Sequence, residues 1–215
     1  MKRINHGTLT GFAILVSLLL LPISYGNAAS VREVSMDEML QQCQFVFEGK
    51  VVALNAKKNS RNRIHTYVTF KIQEVIKGEY PSNTITLSFL GGTVGDVTMA
   101  VSDMKFPQVG EHGIYFVESL ERSQVHPLYG WSQGHYIVER DATGTDRVMN
   151  SSKQPVVEVV SDTPVNQLNP NQKSVPAPSK RGAPGLAVAQ EKKDARGLTV
   201  DEFKKVLHER MGEMQ

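Results

Sequence analysis

The sequence predicts a mainly β protein, folded as a small antiparallel barrel or sandwich. Short segments alternate apolar and polar residues at the two-residue period of a strand, and turn-forming Gly, Pro, Asn and Asp residues separate them. Helical periodicity is confined to one segment before the first strand and one at the end of the chain. With 215 residues, 40% hydrophobic and 21% charged, the composition is that of one globular core with appendages.

Residues 1–28 are expected to be a secretory signal peptide. Two basic residues near the start precede the apolar run 11–23, and small residues fit cleavage after Ala28, with cleavage after Ala29 as the alternative. An uncleaved membrane anchor is the competing interpretation, but this run is shorter than the ~20 residues that span a bilayer. The protein is therefore expected to be exported, either to the periplasm or to the medium.

The charge balance limits the kinds of partner that the protein is expected to bind, and the cysteine content limits how its fold can be stabilised. The chain has 24 Lys and Arg against 22 Asp and Glu, and the excess basic residues lie in the predicted signal peptide. A neutral exported chain argues against nucleic acid as a partner and against stable membrane insertion after signal removal. The single cysteine, Cys43, excludes an internal disulfide, and we expect it to be a buried, inert thiol.

The first domain is predicted to span residues 29–151. It opens with a short helix, Ser35–Cys43, in which Ser35 is the N-cap and Glu38 its capping-box partner. Alternation is clearest from Ile64 onward, and its break at residues 74–76 predicts a β-bulge. The predicted strands, in chain order, are 45–54, 64–76, 84–90, 97–101, 113–118, 131–140 and 147–149.

The chain changes character after residue 151. Six of the ten prolines lie within 155–184, which predicts a disordered linker over residues 152–198. Residues 199–215 are predicted to form an amphipathic helix that begins at a capping box, and so short a helix must dock on a surface. Its own barrel and a partner protein are both open as that surface. The candidate partner-binding residues are Phe203, Val206, Leu207 and Met211.

One motif suggests catalysis. Residues 130–134 match G-x-S-x-G, the nucleophile elbow of serine hydrolases, which would make Ser132 the nucleophile. That elbow needs a helix after the serine, whereas residues 135–140 alternate like a strand. A glycine-bounded turn or bulge is the alternative and the one we favour.

The remaining chemistry-bearing residues predict no metal and no cofactor. The histidines that follow the signal peptide lack the H-E-x-x-H spacing, although three could in principle converge on zinc. The run 91–95 is glycine-rich but has no Gly-Lys-Ser/Thr of a phosphate loop, so a tight turn is expected. The basic stretch 57–63 is expected to be a solvated hairpin loop.

Five segments in fixed order carry a family resemblance over roughly residues 44–149. They resemble a group of small exported bacterial proteins of unassigned function, whose barrel is similar to the OB-like netrin/tissue-inhibitor-of-metalloprotease module. The resemblance implies an OB-like barrel of five to six strands without catalytic machinery. The animal inhibitors grip zinc through a disulfide-bonded N-terminal Cys that is absent here, so no functional residue is carried over. The five segments are 47–52, 66–78, 91–95, 106–111 and 130–136.

The leading functional hypothesis is an exported, non-enzymatic binding or scaffold module that acts through protein–protein contacts. The first alternative is an inhibitor or accessory chain of an exported protease, acting through the loops at 91–96 or 130–134. The second is a small serine hydrolase that uses Ser132.

Overall fold

The computed structural model describes residues 33–159, 186–188 and 196–214, and of residues 186–188 it describes the backbone alone. The predicted signal peptide lies outside the described residues. None of the described helices is both long and apolar enough to cross a membrane.

Among the described residues, the main sheet has six antiparallel strands, in the spatial order β3-β2-β1-β6-β7-β8. This confirms the mainly β class. The sheet does not close into a barrel, because its two outer strands, β3 and β8, do not pair with each other. The strands are β1 Phe45–Lys58, β2 Ile64–Lys77, β3 Thr84–Leu90, β6 His112–Val117, β7 His135–Arg140 and β8 Asp146–Asn150, and a small hairpin inserted after β3 adds β4 Gly92–Val94 and β5 Val97–Met99.

Strands β1 and β2 form a long, irregular hairpin. Val46 pairs with Lys77 and Phe47 with Val75, so Ile76 is an extra residue on β2. This confirms the bulge that the broken alternation predicts, and bulges of this kind bend a strand. Strand β1 runs on to Lys58, which leaves a shorter turn than the predicted basic loop.

Buried apolar side chains form two clusters, one on each face of the sheet. Because successive side chains of a strand point to opposite faces, Phe47 lies in one cluster and its neighbour Val46 in the other. The aromatic cluster packs Phe47, Phe70 and Tyr115 with ring centroids 4.6–5.5 Å apart. The second cluster is covered by the two helices.

The helices begin where the sequence predicts. Helix α1, Met36–Gln42, follows Ser35, whose hydroxyl accepts a hydrogen bond of 3.1 Å from the backbone N–H of Glu38. Helix α2, Val200–Glu213, follows Thr199 and has both hydrogen bonds of the predicted capping box. These caps satisfy donors that a helix N-terminus would otherwise leave unpaired.

The structure shortens the predicted linker at both of its ends. Strand β9, Val156–Val159, pairs antiparallel with β10, Leu186–Val188. Next to β9, Pro155 bridges Met149, and Leu198 accepts a hydrogen bond from the backbone of β8. The rest of the predicted linker, 160–185 and 189–195, lies outside the described residues.

The predicted strand 131–140 is divided in two. Trp131–Gly134 forms a 3₁₀ turn, and β7 begins only at His135. Gly130 and Trp131 both have left-handed backbone conformations, with φ of 60° and 59°, which no strand accommodates. Alternation alone does not reveal this turn because Tyr136 and Val138 keep the strand pattern just after it.

Candidate functional site

The apolar stripe of α2 packs on the protein's own sheet. Phe203 and Leu207 are fully buried in the second cluster, and Val206 and Met211 pack against it partly buried. The ring of Phe203 lies 5.1 Å from that of Tyr136 on β7. The residues predicted to contact a partner are thus engaged inside the molecule, which is the other docking surface that the sequence left open.

A charge cluster fixes α2 over the long hairpin. Glu48 and Glu74 lie directly opposite each other across β1 and β2, an arrangement that by itself is repulsive. Lys204 of α2 donates to both carboxylates, at 2.8 Å to Glu48 and 2.7 Å to Glu74. His112 Nε2 lies 2.8 Å from the other oxygen of Glu48. The helix therefore supplies the cation that the paired carboxylates need.

The pKa values in this charge cluster shift as the geometry requires. The hydrogen bond with His112 lowers the pKa of Glu48 below its ordinary value, burial opposes this, and Lys204 lowers it further. Burial by itself would lower the pKa of Lys204, but its bonds to Glu48 and Glu74 raise it overall. Both groups are held in their charged forms, so the cluster stabilises docking and is not poised for proton transfer.

Ser132 does not have the surroundings of a nucleophile. It lies in the 3₁₀ turn, a strand follows it, and it makes no hydrogen bond to any described histidine or carboxylate. A serine nucleophile needs an adjacent base to accept its proton. The glycine-bounded turn is thus the arrangement found. Its Trp131 stacks on His126, with ring centroids 5.3 Å apart.

Two histidines are buried beneath the aromatic cluster. His135 Nε2 lies 2.6 Å from Glu111 Oε1, and the Tyr115 hydroxyl donates to the same oxygen at 3.2 Å. Burial, followed by the charge of His135, lowers the pKa of His126 to about 3, so His126 is neutral at neutral pH. No group of three metal-ligating side chains occurs among the described residues. These contacts fix side chains in a core.

A groove of about 400 Å³ opens along the edge strand β3. One wall is β3 from Ile85 to Ser88, and the other is the loop 119–127 that follows β6. Leu120 gives the loop wall an apolar patch. Tyr67 of β2 and Tyr80 of the turn before β3 also line the groove. The groove is the concave surface that we take as the candidate site.

The backbone of β3 presents unpaired groups to this groove. Gly91 N–H donates to Ile64 at 2.8 Å and Ile72 N–H donates to Asn83 at 2.8 Å, which fixes the hydrogen-bonded pairs between β2 and β3. By antiparallel alternation, the N–H and C=O groups of Thr86 and Ser88 point away from β2. Among the described residues, no backbone group pairs with them.

The opposite edge of the sheet is covered by the chain itself. Val148 N–H of β8 donates to Leu198 at 2.9 Å, and Asn150 N–H donates to Gln154 at 2.9 Å. On β3, the corresponding outward N–H of Leu90 donates to Val125 at 2.9 Å. On the outer side of β3, a described backbone group therefore pairs with Leu90, and none pairs with the next two outward residues, Ser88 and Thr86.

Sequence reasoning did not find this groove. Its walls lie more than thirty positions apart along the chain, and neither wall carries a motif. The available signal was the exposed edge strand, but identifying an edge requires the strand order, which is a property of the whole fold.

Comparison of the chain with family models, with curated proteins and with solved structures finds no match. The resemblance to the netrin-like module and to the exported bacterial group therefore stays a prediction.

Proposed function

We propose that the protein is a non-enzymatic binding module that is exported and holds a protein partner in the groove beside β3. The observation that carries this proposal is the unpaired outer edge of β3 facing a groove whose walls combine apolar and polar side chains. An exposed edge with free backbone groups is a template for another chain, and proteins that do not use such an edge generally cover it. This chain covers the other edge, at β8, with its own residues.

The described residues support a binding role over a catalytic one. Among the described residues, no base is hydrogen-bonded to Ser132, and the hydroxyl that is bonded to the pair of His135 and Glu111 belongs to the fully buried Tyr115. The apolar face of α2 is buried against the protein's own sheet. Among the described residues, the groove beside β3 is a concave surface that is open to a partner.

The test is capture of partners from the host's exported fraction with groove and control variants. Leu120→Glu places a charge on the apolar patch of the loop wall, whereas Val109→Glu places the same charge at a residue that is 63% exposed and outside the groove. A partner held by the wild-type protein and by Val109→Glu but lost by Leu120→Glu is the expected result. Equal capture by all three proteins would contradict the proposal, as would the absence of any captured protein.

A further inference from the structure

We infer that the occupant of the groove is an extended peptide segment that adds to β3 as a seventh strand of the main sheet. This inference rests on the proposed function and gives it a binding mode. Its basis is backbone geometry, since the outward N–H and C=O groups of Thr86 and Ser88 point into the groove. In such β-augmentation, main-chain hydrogen bonds give affinity and alternate side chains give specificity.

The position of the next strand is already marked at one end of β3. Leu90 donates to the carbonyl of Val125, so a backbone segment occupies the site where an added strand would begin. At the other end, the N–H of Thr84 is satisfied by Ser82 at 3.2 Å. Between these ends, Thr86 and Ser88 are spaced about 7 Å apart along the strand. A segment of about five residues spans both positions.

The residues that line the groove predict which side chains the bound segment carries. On the face of β3 that carries the aromatic cluster, the groove is lined by Ile85 and Leu87, which are 3% and 6% exposed, and by the partly buried Leu120 of the loop. On the outer side, Thr86 bonds to Thr69 through their hydroxyls at 2.9 Å, so this wall is polar and already satisfied. Because side chains of a strand alternate between faces, the segment should have apolar residues at every second position.

The loop wall offers one further acceptor. Gln124 lines the groove, and its Oε1 is buried and has no hydrogen-bond partner among the described residues. A buried acceptor without a donor is unfavourable. Rotation of this amide toward the groove would let an N–H group of the added strand supply the missing donor.

Proline scanning of the β3 edge tests this binding mode. Proline at an outward position removes only the unpaired N–H, so an edge strand tolerates it, whereas it leaves the added strand without a donor. Thr86→Pro is paired with Thr86→Val, because both lose the hydroxyl bond to Thr69 and only the first loses the N–H. Ser88→Pro with Ser88→Ala repeats the comparison at the second position, in case one proline variant does not fold.

The probe is a displayed library of random linear peptides, selected against the full wild-type chain alone. We expect peptides with alternating apolar residues, whose affinity falls about tenfold with Thr86→Pro and changes less than about twofold with Thr86→Val. In hydrogen exchange, a bound peptide should slow the amides of Thr86 and Ser88. Selected peptides that bind both proline variants as well as wild type, or a library that yields none, would overturn the inference.

The variants separate this inference from the proposed function. A natural partner lost with Leu120→Glu but retained with Thr86→Pro and Ser88→Pro would leave the groove as the binding site and overturn strand addition alone. A partner that none of the variants affects would overturn both.

Discussion

At the scale of single residues, the charge cluster around Glu48 shows how the fold compensates a repulsive pair. Two carboxylates opposite each other on β1 and β2 both form ion pairs with one lysine from α2, whose side chain is only 14% exposed. The contribution of this lysine to stability depends on the charge of Glu48, because the hydrogen bonds that Glu48 accepts are strong only while Glu48 is ionised.

The stability contributed by Glu48 should therefore depend on pH. Its pKa is lowered in the folded protein, so the stabilisation is present above its ordinary pKa near 4.5 and is lost as pH falls through the lowered value. We expect Glu48→Gln to lower the free energy of unfolding by about 2 kcal/mol at pH 7, and by progressively less as pH falls below 4.5 and through the lowered pKa. Urea unfolding at several pH values measures this difference.

Glu209→Gln is the matched control for that experiment. Glu209 faces Lys205 at 3.8 Å with both side chains largely exposed, and such pairs contribute little. Its substitution should leave the unfolding free energy almost unchanged at every pH. A Glu48→Gln deficit that stays constant from pH 7 down to pH 3 would show that the loss is one of packing and not of charge.

At the scale of elements, α2 is part of the core. Phe203→Ala should lower the unfolding free energy by about 3 kcal/mol, since the side chain is fully buried against the sheet. His208→Ala, on the exposed face of the same helix, should be nearly neutral. Thermal melts of both variants check this, and an unchanged melt for Phe203→Ala would mean that the helix is not docked in solution.

Helix α2 also shows which features can be predicted from the sequence and which cannot. Its start, its capping box and its apolar stripe follow from local patterns, since a cap and a 3.6-residue period are properties of neighbouring residues. Its docking surface does not follow, because the stripe is equally suited to an external partner. The deciding contacts, such as Lys204 with Glu48 and Glu74, join residues far apart in sequence.

The features of the sheet also differ in whether neighbouring residues or the whole strand order determine them. Strand β3 and the bulge at Ile76 were readable from alternation and from its interruption. Closure was not, because whether β3 meets β8 depends on the order of all the strands. The groove is a consequence of that open order, and so neither it nor its walls could be read from any one segment.

At the scale of the whole molecule, the two edges of the sheet are treated differently. The outward amides of Val148 and Asn150 on β8 are bonded to carbonyls of the same chain, whereas those of Thr86 and Ser88 on β3 have no described acceptor. In the free protein, hydrogen exchange should therefore be fast at Thr86 and Ser88 and slow at Val148 and Asn150.

The inward amide of Leu87 provides the internal control for this measurement. It points to β2 and belongs to the same strand, so local unfolding of β3 would expose it together with its neighbours. We expect exchange at Thr86 and Ser88 to be at least about tenfold faster than at Leu87. Equal protection at all three positions would mean that the edge is already covered in the free protein. The groove would then be unavailable to a partner, and both the binding role and the strand addition would fail together.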